Sequence, residues 1–267
     1  MITSVSNDRV RRVVSLVEKS KARREEDAFV IEGMKMLREA PVLQVREVYV
    51  TERFLDGASE EDKEILWRYG AEPVSEEVMK KMAATQTPQG VLAIVSQYHY
   101  TLEEVIEGYN QDDEGAKPLM LILENIQDPG NLGTMLRSGE GAGVTGIIMS
   151  KGSADVYNPK VIRSTMGSIF RMPFIYVESV PEILKQLKDS GIHTYAAHLK
   201  GEKNYDEFDY TQPTAFLIGN EGNGLTKETA DSADTYILIP MKGEVESMNA
   251  ATSSAILTFE ASRQRRS

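Results

Sequence analysis

Two rhythms of apolar and polar residues alternate along this chain: short runs suited to strands, and longer amphipathic segments suited to helices. Residues 29–32, 46–51 and 90–95 are rich in β-branched and aliphatic side chains and read as strands, with a shorter one at 73–74. Between them, residues 5–28 read as a basic helix with Val10, Val13, Val14 and Val17 on one face, and residues 33–39, 60–69 and 76–84 as further helices. The rhythm restarts at Leu119. Residues 119–123 are apolar throughout, as expected of a strand in a sheet covered on both faces. Strands at 146–149, 174–177, 193–197, 215–218 and 236–239 follow. Helices at 131–141, 160–169 and 181–190 separate them, the last stopped by Gly191. A short polar helix precedes the final strand, and a long helix opens after Ser247. The alternation predicts an α/β fold in two parts: a small domain over residues 1–96 and a second over 118–267. A polar linker over 97–117, with room for one helical turn, holds Asp112-Asp113-Glu114-Gly115 and ends before Pro118.

Composition narrows the class. The 267 residues suffice for two domains, and 41% apolar with 27% charged residues is globular. No apolar run reaches membrane-spanning length, and the first residues do not resemble a signal peptide, so no membrane association and a cytoplasmic location are expected. The absence of cysteine excludes disulfides, thiolate metal sites and cysteine nucleophiles, and suits a reducing compartment. His99, His193 and His198 have no metal-ligand spacing and read as structural or surface residues, so no metal is expected. A net charge of −11 counts against nucleic acid, but its distribution does not. Residues 1–24 hold seven basic side chains against two acidic ones, and Arg263, Arg265 and Arg266 lie near the other end. Basic ends can meet phosphate while the acidic bulk keeps the chain soluble; Arg11 and Arg23 are the candidates at the N-terminal end. Any one of these charges could equally be an ordinary solvated side chain.

The informative stretch begins at Phe216. It reads Phe-Leu-Ile-Gly-Asn-Glu-Gly-Asn-Gly-Leu to Leu225, then Tyr-Ile-Leu-Ile-Pro-Met-Lys-Gly from Tyr236, then Ser247-Met248-Asn249. Each strand runs into a loop of small and polar residues, and in open α/β sheets ligands sit beyond the carboxyl ends of strands. Gly219, Gly222 and Gly224 are expected to turn with positive φ and admit a ligand to the backbone. Pro240 is expected to end the second strand. Two such loops side by side form a cup of N–H and C=O groups. It suits adenine and ribose, and it lacks the basic residues phosphates require.

Three constellations could carry chemistry. Residues 124–133, Glu-Asn-Ile-Gln-Asp-Pro-Gly-Asn-Leu-Gly, follow the first strand of the second domain, with Arg137 beyond. Gly130 and Gly133 do not fit a dinucleotide fingerprint, and Ser150-Lys151 stands where its acid would be, so a nicotinamide cofactor is disfavoured. Asn131 could be a helix cap and Arg137 a surface ion pair. In residues 157–168, Lys160 and Arg163 share one face of a helix start, with Arg171 after them; they could grip RNA phosphates, or merely solvate a helix. Glu221, Ser247 and Asn249 form the third group. Ser247 stands where a hydroxyl would cap the last helix, with Asn249 in its first turn. Met248, Thr252, Ala255 and Phe259 form a stripe at helical spacing that reads as core, while the small residues 250–255 permit close helix packing, including across a dimer.

The motifs Gly-Asn-Glu-Gly-x-Gly-Leu and Ile-Pro-Met-x-Gly-x-x-x-Ser-Met-Asn, in this order and spacing, resemble the last two motifs of the SpoU/TrmH family of RNA 2′-O-ribose methyltransferases in the SPOUT superfamily. Met248 stands where that family usually has leucine. Asn131 and Arg137 resemble its first motif, Asn-x-Gly-x-x-x-Arg. Phe29-Val30-Ile31-Glu32-Gly33 and residues 87–93, Thr-Pro-Gln-Gly-Val-Leu-Ala, resemble its N-terminal substrate-binding domain.

The resemblance implies a parallel-sheet domain with a deep trefoil knot, which periodicity alone would reject, and a homodimer through that domain. It implies S-adenosylmethionine held by Leu217, Gly219, Asn220, Gly224, Ile239, Met241, Ser247 and Met248, and an active site of Asn131, Arg137, Glu221, Ser247 and Asn249. It places Lys160, Arg163 and Arg171 beside an RNA groove. The family's arginine has been assigned the role of base; a guanidinium stays protonated, so an orienting role for Arg137 is preferred. The two-domain layout favours ribosomal over transfer RNA. A non-catalytic RNA-binding protein on this fold, or a base methyltransferase of the same superfamily, remains open at this point.

Overall fold

The computed structural model describes residues 1–107, 117–245 and 247–266. The Asp112-Asp113-Glu114-Gly115 run of the expected linker lies outside the described residues. In chain order the first elements are α1 (Asp8–Glu18), α2 (Ser20–Glu26), β1 (Ala28–Glu32), α3 (Met34–Glu39), β2 (Val45–Thr51), α4 (Glu52–Gly57), α5 (Glu60–Arg68), β3 (Glu72–Val74), α6 (Glu76–Met82) and β4 (Val91–Ser96). Then follow α7 (Leu102–Glu107), β5 (Leu119–Leu123), α8 (Pro129–Ala142), β6 (Gly146–Ser150), α9 (Pro159–Thr165), β7 (Phe174–Val177), α10 (Val180–Asp189), β8 (His193–Ala197), β9 (Thr214–Ile218), α11 (Lys227–Ser232), β10 (Thr235–Ile237) and α12 (Ala250–Arg265). Packing groups them into two compact units, Met1–Tyr98 with Asp155–Phe170, and His99–Ala154 with Arg171–Ser267.

The first unit holds a sheet in the order β1-β4-β2-β3, antiparallel except where β2 meets β3. Val10, Val13 and Leu16 of α1 pack on Val30, Tyr49, Leu92 and Ile94, while Val14 and Val17 lie at the edge of this core. The single helix expected over 5–28 is two helices, because Lys19 is extended (φ −120°, ψ 116°). The carbonyls released at the break are those of Leu16 and Val17, and the Arg23 guanidinium donates to both, at 2.7 and 3.1 Å. The same guanidinium donates through Nε and Nη2 to Asp155 Oδ2, at 2.9 and 2.6 Å. Arg23 is 3% exposed, so the sequence-based assignment of this residue to RNA is corrected: it is a buried cap and ion pair. Its neighbours on α1 are also spoken for. Arg9 pairs with Glu72 and Glu47, Arg12 with Glu26 and Glu47, and the exposed Arg11 with Asp8.

The helix expected over 160–169 stops at Thr165. Met166 is left-handed (φ 51°, ψ 37°) and Gly167 follows at φ 98°, before a 3-10 turn over Ser168–Phe170. A Cβ on Gly167 would fall 1.8 Å from Glu39 Oε2, so the break seats the chain tightly against α3.

The second unit is built on a six-stranded parallel sheet in the order β10-β8-β9-β5-β6-β7. Its central strands β5, β6 and β9 are buried at every position, which explains why they lack polar alternation. β10 ends at Ile237, short of Pro240, so the proline does not end it. Leu238 instead pairs with residues 203–205, accepting from Tyr205 N at 2.8 Å and donating to Lys203 O at 3.1 Å. From that sheet edge the chain returns, and α12 packs on α8, β5 and β9. The stripe Met248, Thr252, Ala255 and Phe259 is not core: α12 buries Ala250, Ala251, Ser254, Leu257, Thr258 and Ala261 and leaves Phe259 46% exposed. Small residues win the buried face because it lies close against α8, itself rich in glycine.

Removing one partner of a buried ion pair strands the other, at a cost of about 3–5 kcal/mol. Arg23→Ala should therefore lower the unfolding free energy measured in urea by about 3 kcal/mol, and Arg11→Ala by less than about 0.5 kcal/mol. Similar losses in the two variants would remove the capping role assigned to Arg23.

Candidate active site

The carboxyl ends of β5 and β9 run into two loops that are tied together before either reaches its helix. Glu124 N donates to Ile218 O at 2.9 Å. Its buried carboxylate accepts from Thr226 N, Thr226 Oγ1 and Thr229 Oγ1 at 2.7, 2.9 and 2.5 Å, fixing the far end of the 219–226 loop. Asn220 fixes the near end, donating through Nδ2 to Asn125 O at 2.8 Å and accepting on Oδ1 from Gly222 N and Asn223 N. Asn220 and Gly224 exchange backbone hydrogen bonds of 3.0 and 2.9 Å. Of the three loop glycines only Gly224 has positive φ, at 66°. Gly219 is required for another reason: a Cβ there would stand 2.1 Å from Gly224 C and Leu225 N. Gly222 has neither constraint.

A chain of side chains then joins the loops to the start of α12. Asp128, not Asn131, caps α8, accepting from Asn131 N at 2.8 Å. The Asn131 amide is thereby left for longer-range contacts: Nδ2 donates to Glu221 Oε1 at 2.9 Å, and Oδ1 accepts from Asn249 Nδ2 at 3.0 Å. Asn249 is the N-cap of α12, its Oδ1 accepting from Ala251 N and Thr252 N at 2.9 and 3.2 Å. The expected cap, Ser247, is exposed two residues earlier. Glu221 also accepts from Gln127 N and Asp128 N at 3.3 and 3.2 Å. Partial burial pushes its carboxyl upward, but the Asn131 amide and the backbone N–H groups of Glu221, Gln127 and Asp128 outweigh it and hold the group below the usual carboxylate range. With its oxygens taken up by these donors, Glu221 has the geometry of a positioning residue. Arg137, on the exposed face of α8, has no hydrogen-bond or ion-pair partner among the described residues.

These loops wall a cleft of about 330 Å³. Seven of the eight expected cofactor residues line it: Gly219, Asn220, Gly224, Ile239, Met241, Ser247 and Met248. Leu217 does not; it is fully buried in the core, and Ile218 lines the cleft in its place. The loops after β9 and β10, expected side by side, are not neighbours. β8 lies between β9 and β10, so Ala197, His198 and Leu199 at its end complete the wall. Applying the rule of carboxyl ends to residues 193–197 would have found them. His198 accepts from Lys200 N at 3.1 Å and stacks on Tyr236 at 4.9 Å. Among the described residues no lysine or arginine lines the cleft, while backbone groups and aliphatic side chains do. That donor set fits an adenosyl group without phosphates.

The expected RNA contacts are dispersed. Lys160 and Arg163 are exposed on α9, and Arg163 is unpaired among the described residues. Arg171 is held by Glu140. Among the described residues no group of three or more His, Cys, Asp or Glu side chains is placed to hold a metal, and no helix is long and apolar enough to cross a membrane.

Residues 118–259 match the SpoU rRNA Methylase family, and residues 7–93 match the MRM3-like substrate binding domain. The 23S rRNA (guanosine(2553)-2′-O)-methyltransferase RlmP of Bacillus subtilis is 29% identical over 97% of both chains. Among solved structures, the SpoU methyltransferase AviRb of Streptomyces viridochromogenes in complex with AdoMet is 27% identical with a TM-score of 0.82, covering 97% of this chain and 99% of its own. An AdoMet-bound rRNA methyltransferase from Sinorhizobium meliloti is 28% identical with a TM-score of 0.82, covering 98% and 97%. A family match across the whole parallel-sheet region, and likeness of the entire two-part chain to solved members, establish that this chain belongs to the SpoU rRNA methylase family.

Proposed function

We propose that this protein methylates a ribose 2′-hydroxyl of ribosomal RNA with S-adenosylmethionine, as a homodimer in the cytoplasm. Transfer RNA is the second substrate class. The observation that carries the reading is the hydrogen-bonded chain Glu221–Asn131–Asn249, which joins the walls of a phosphate-averse cleft to the helix bearing an unpaired arginine. When bound, the cofactor supplies an electrophilic sulfonium methyl. Gly219, Asn220, Gly224, Ile218, Ile239, Met241, Ser247 and Met248 are the residues that would hold it. Glu221 and Asn249 position Asn131 from either side. Arg137 orients the ribose or its flanking phosphate; a guanidinium is effectively always protonated and is unsuited to accept the hydroxyl proton. Orientation of this kind acts on the reacting geometry rather than on cofactor affinity. The return of the chain from β10 to α12 supports the trefoil knot. The outward stripe of α12, ending in exposed Phe259 beside Gly141, supports a two-fold interface on that face.

The central test is transfer of labelled methyl from S-adenosylmethionine to ribosomal RNA from cells lacking this protein, with the product digested to nucleosides. A label on the base instead of the ribose would replace the reading with base methylation, and cofactor binding without transfer would leave an RNA-binding protein.

Arg137→Ala should keep cofactor affinity in calorimetry and lose about 100-fold or more in turnover. Arg137→Lys should stay nearly as slow at every pH, since lysine lacks the planar fork. Recovery as pH rises towards about 10.4, the lysine pKa, would assign Arg137 the role of base.

Gly219→Ala should abolish cofactor binding, because the new Cβ strikes the loop's own backbone. Gly224→Ala, with open space around it and only the left-handed backbone to strain, should fold and bind with a loss of about 1 kcal/mol in stability. The reverse order of severity would contradict this account of the loop.

Phe259→Glu should convert the protein to monomers in light scattering at micromolar concentration. A dimer that tolerates this charge uses a different face.

A further inference from the structure

The first unit carries a second cavity, built from the motif residues that the methyl-transfer reading leaves unused. It encloses about 240 Å³ and lies wholly within that unit, between α3, β1, β4 and α9. Its walls are apolar: Val30, Met36, Leu92 and Ile162 are buried there, and Met166 closes one side. Met166 is the residue held left-handed at the end of α9, one of three non-glycine residues with positive φ among those described. Such backbone costs free energy and is retained where the local shape is needed. Here it keeps a long apolar side chain, 39% exposed, at the cavity rim.

One polar wall faces this apolar space. Glu32 Oε1 accepts from Thr85 Oγ1 at 2.6 Å and from Gln89 N at 3.2 Å, which fixes the carboxylate. Oε2 has no partner among the described residues. The neighbouring Gly33 has φ 93°, backbone that other residues adopt only with strain. Glu32 and the 85–89 segment together hold one free acceptor at the cavity wall. At the mouth stand Lys35 and Arg163, both exposed and both without hydrogen-bond or ion-pair partners among the described residues. Neither cation is neutralised, unlike the arginines of α1, so both are open to an anionic group at the cavity mouth.

Aliphatic walls, an inner hydrogen-bond acceptor and cations at the rim suit a nucleotide turned out of its stack: base inside, phosphates outside. The carboxylate selects the base. Guanine presents adjacent N1–H and N2–H donors to the carboxylate, whose Oε2 is open to both. Adenine and cytosine offer one amino group beside a ring acceptor, which a carboxylate repels, and uracil offers one N–H between two carbonyls. We infer that the cavity bounded by Glu32, Lys35, Met36, Ile162, Arg163 and Met166 binds an unstacked guanosine of the RNA substrate and reads its base through Glu32. The inference rests on the RNA reading above and extends it to a base-specific contact on the first unit.

The test uses the full chain and four fluorescein-labelled RNA nonamers, uridine throughout except for a central G, A, C or U, followed by anisotropy without cofactor. The G nonamer should bind about tenfold more tightly than the others. Glu32→Gln, which keeps the shape and removes the charge, should erase that preference. Arg163→Ala should weaken all four alike and flatten the salt dependence. Circular dichroism melts check that each variant folds. With 6-thioguanosine at the centre, irradiation should attach the wild-type protein at peptides containing Met36 or Met166. Equal affinity for the four nonamers, a guanine preference that survives Glu32→Gln, or attachment outside the cavity would overturn the inference. If Glu32→Gln does not fold, the wild-type preference and the attachment site decide. A guanine preference in a protein that transfers no methyl would keep this pocket and remove the methyltransferase reading; methyl transfer with no base preference would do the opposite.

Discussion

One carboxylate ties together the loops at the carboxyl end of the parallel sheet. Glu221 accepts from two backbone amides at the start of α8 and from the Asn131 side chain, 90 positions away along the chain. Asn131 in turn holds Asn249, a further 118 positions on. Loops are the most mobile parts of an α/β fold, and here three of them enclose a single cleft. Charge-assisted hydrogen bonds are stronger than neutral ones, and several converge on a group whose own environment keeps it ionised. The cleft walls are thus ordered through side chains that need never touch the reacting atoms. Ordering before the ligand arrives is what lets binding free energy go into alignment.

Much of this was legible in the sequence, and the gaps have physical causes. Strands β5, β6 and β9 announced themselves because burial on both faces demands uninterrupted apolar runs. The cleft loops did so because close backbone approach demands glycine, at Gly219 above all. Which of Ser247 and Asn249 caps α12 was not legible: both are capping residues, and the choice depends on where the backbone turns helical. Nor could the pattern say that Ile218 rather than Leu217 lines the cleft, since a strand buried on both sides has no polar face to set its parity. The placement of β8 between β9 and β10 is a long-range pairing, and it brought in His198 and Leu199 unannounced. On α12 hydrophobicity pointed the wrong way. Close approach to α8 favours alanine and serine inside and leaves Phe259 out.

Charge gave the coarsest guidance. The basic N-terminal segment looks like an RNA-binding arm in one dimension, yet Arg9 and Arg12 are neutralised by glutamates from other elements and Arg23 is buried. Among the described residues, Lys35 and Arg163 stand unpaired at one cavity and Arg137 on α8, while other unpaired cations, such as Lys19, Arg24 and Lys80, lie elsewhere on the surface. An acidic protein of this design repels nucleic acid in general and attracts it at chosen points. Specificity then depends more on shape and base contacts than on long-range field.

The first unit is assembled from two stretches that are far apart in the chain, Met1–Tyr98 and Asp155–Phe170. Arg23 finds Asp155 only when the second stretch exists, and so does the α9 wall of the guanosine cavity. On the ribosome this unit therefore still lacks α9 and Asp155 when its own sheet has been synthesised. It waits while the beginning of the next unit emerges, on the order of 10 s at common elongation rates. During that interval β1 lacks the cover of α9, and a guanidinium destined for burial has no counter-ion. Birth order thus couples the maturation of the two units: the substrate-reading part completes itself with a segment cut from the middle of the catalytic sequence.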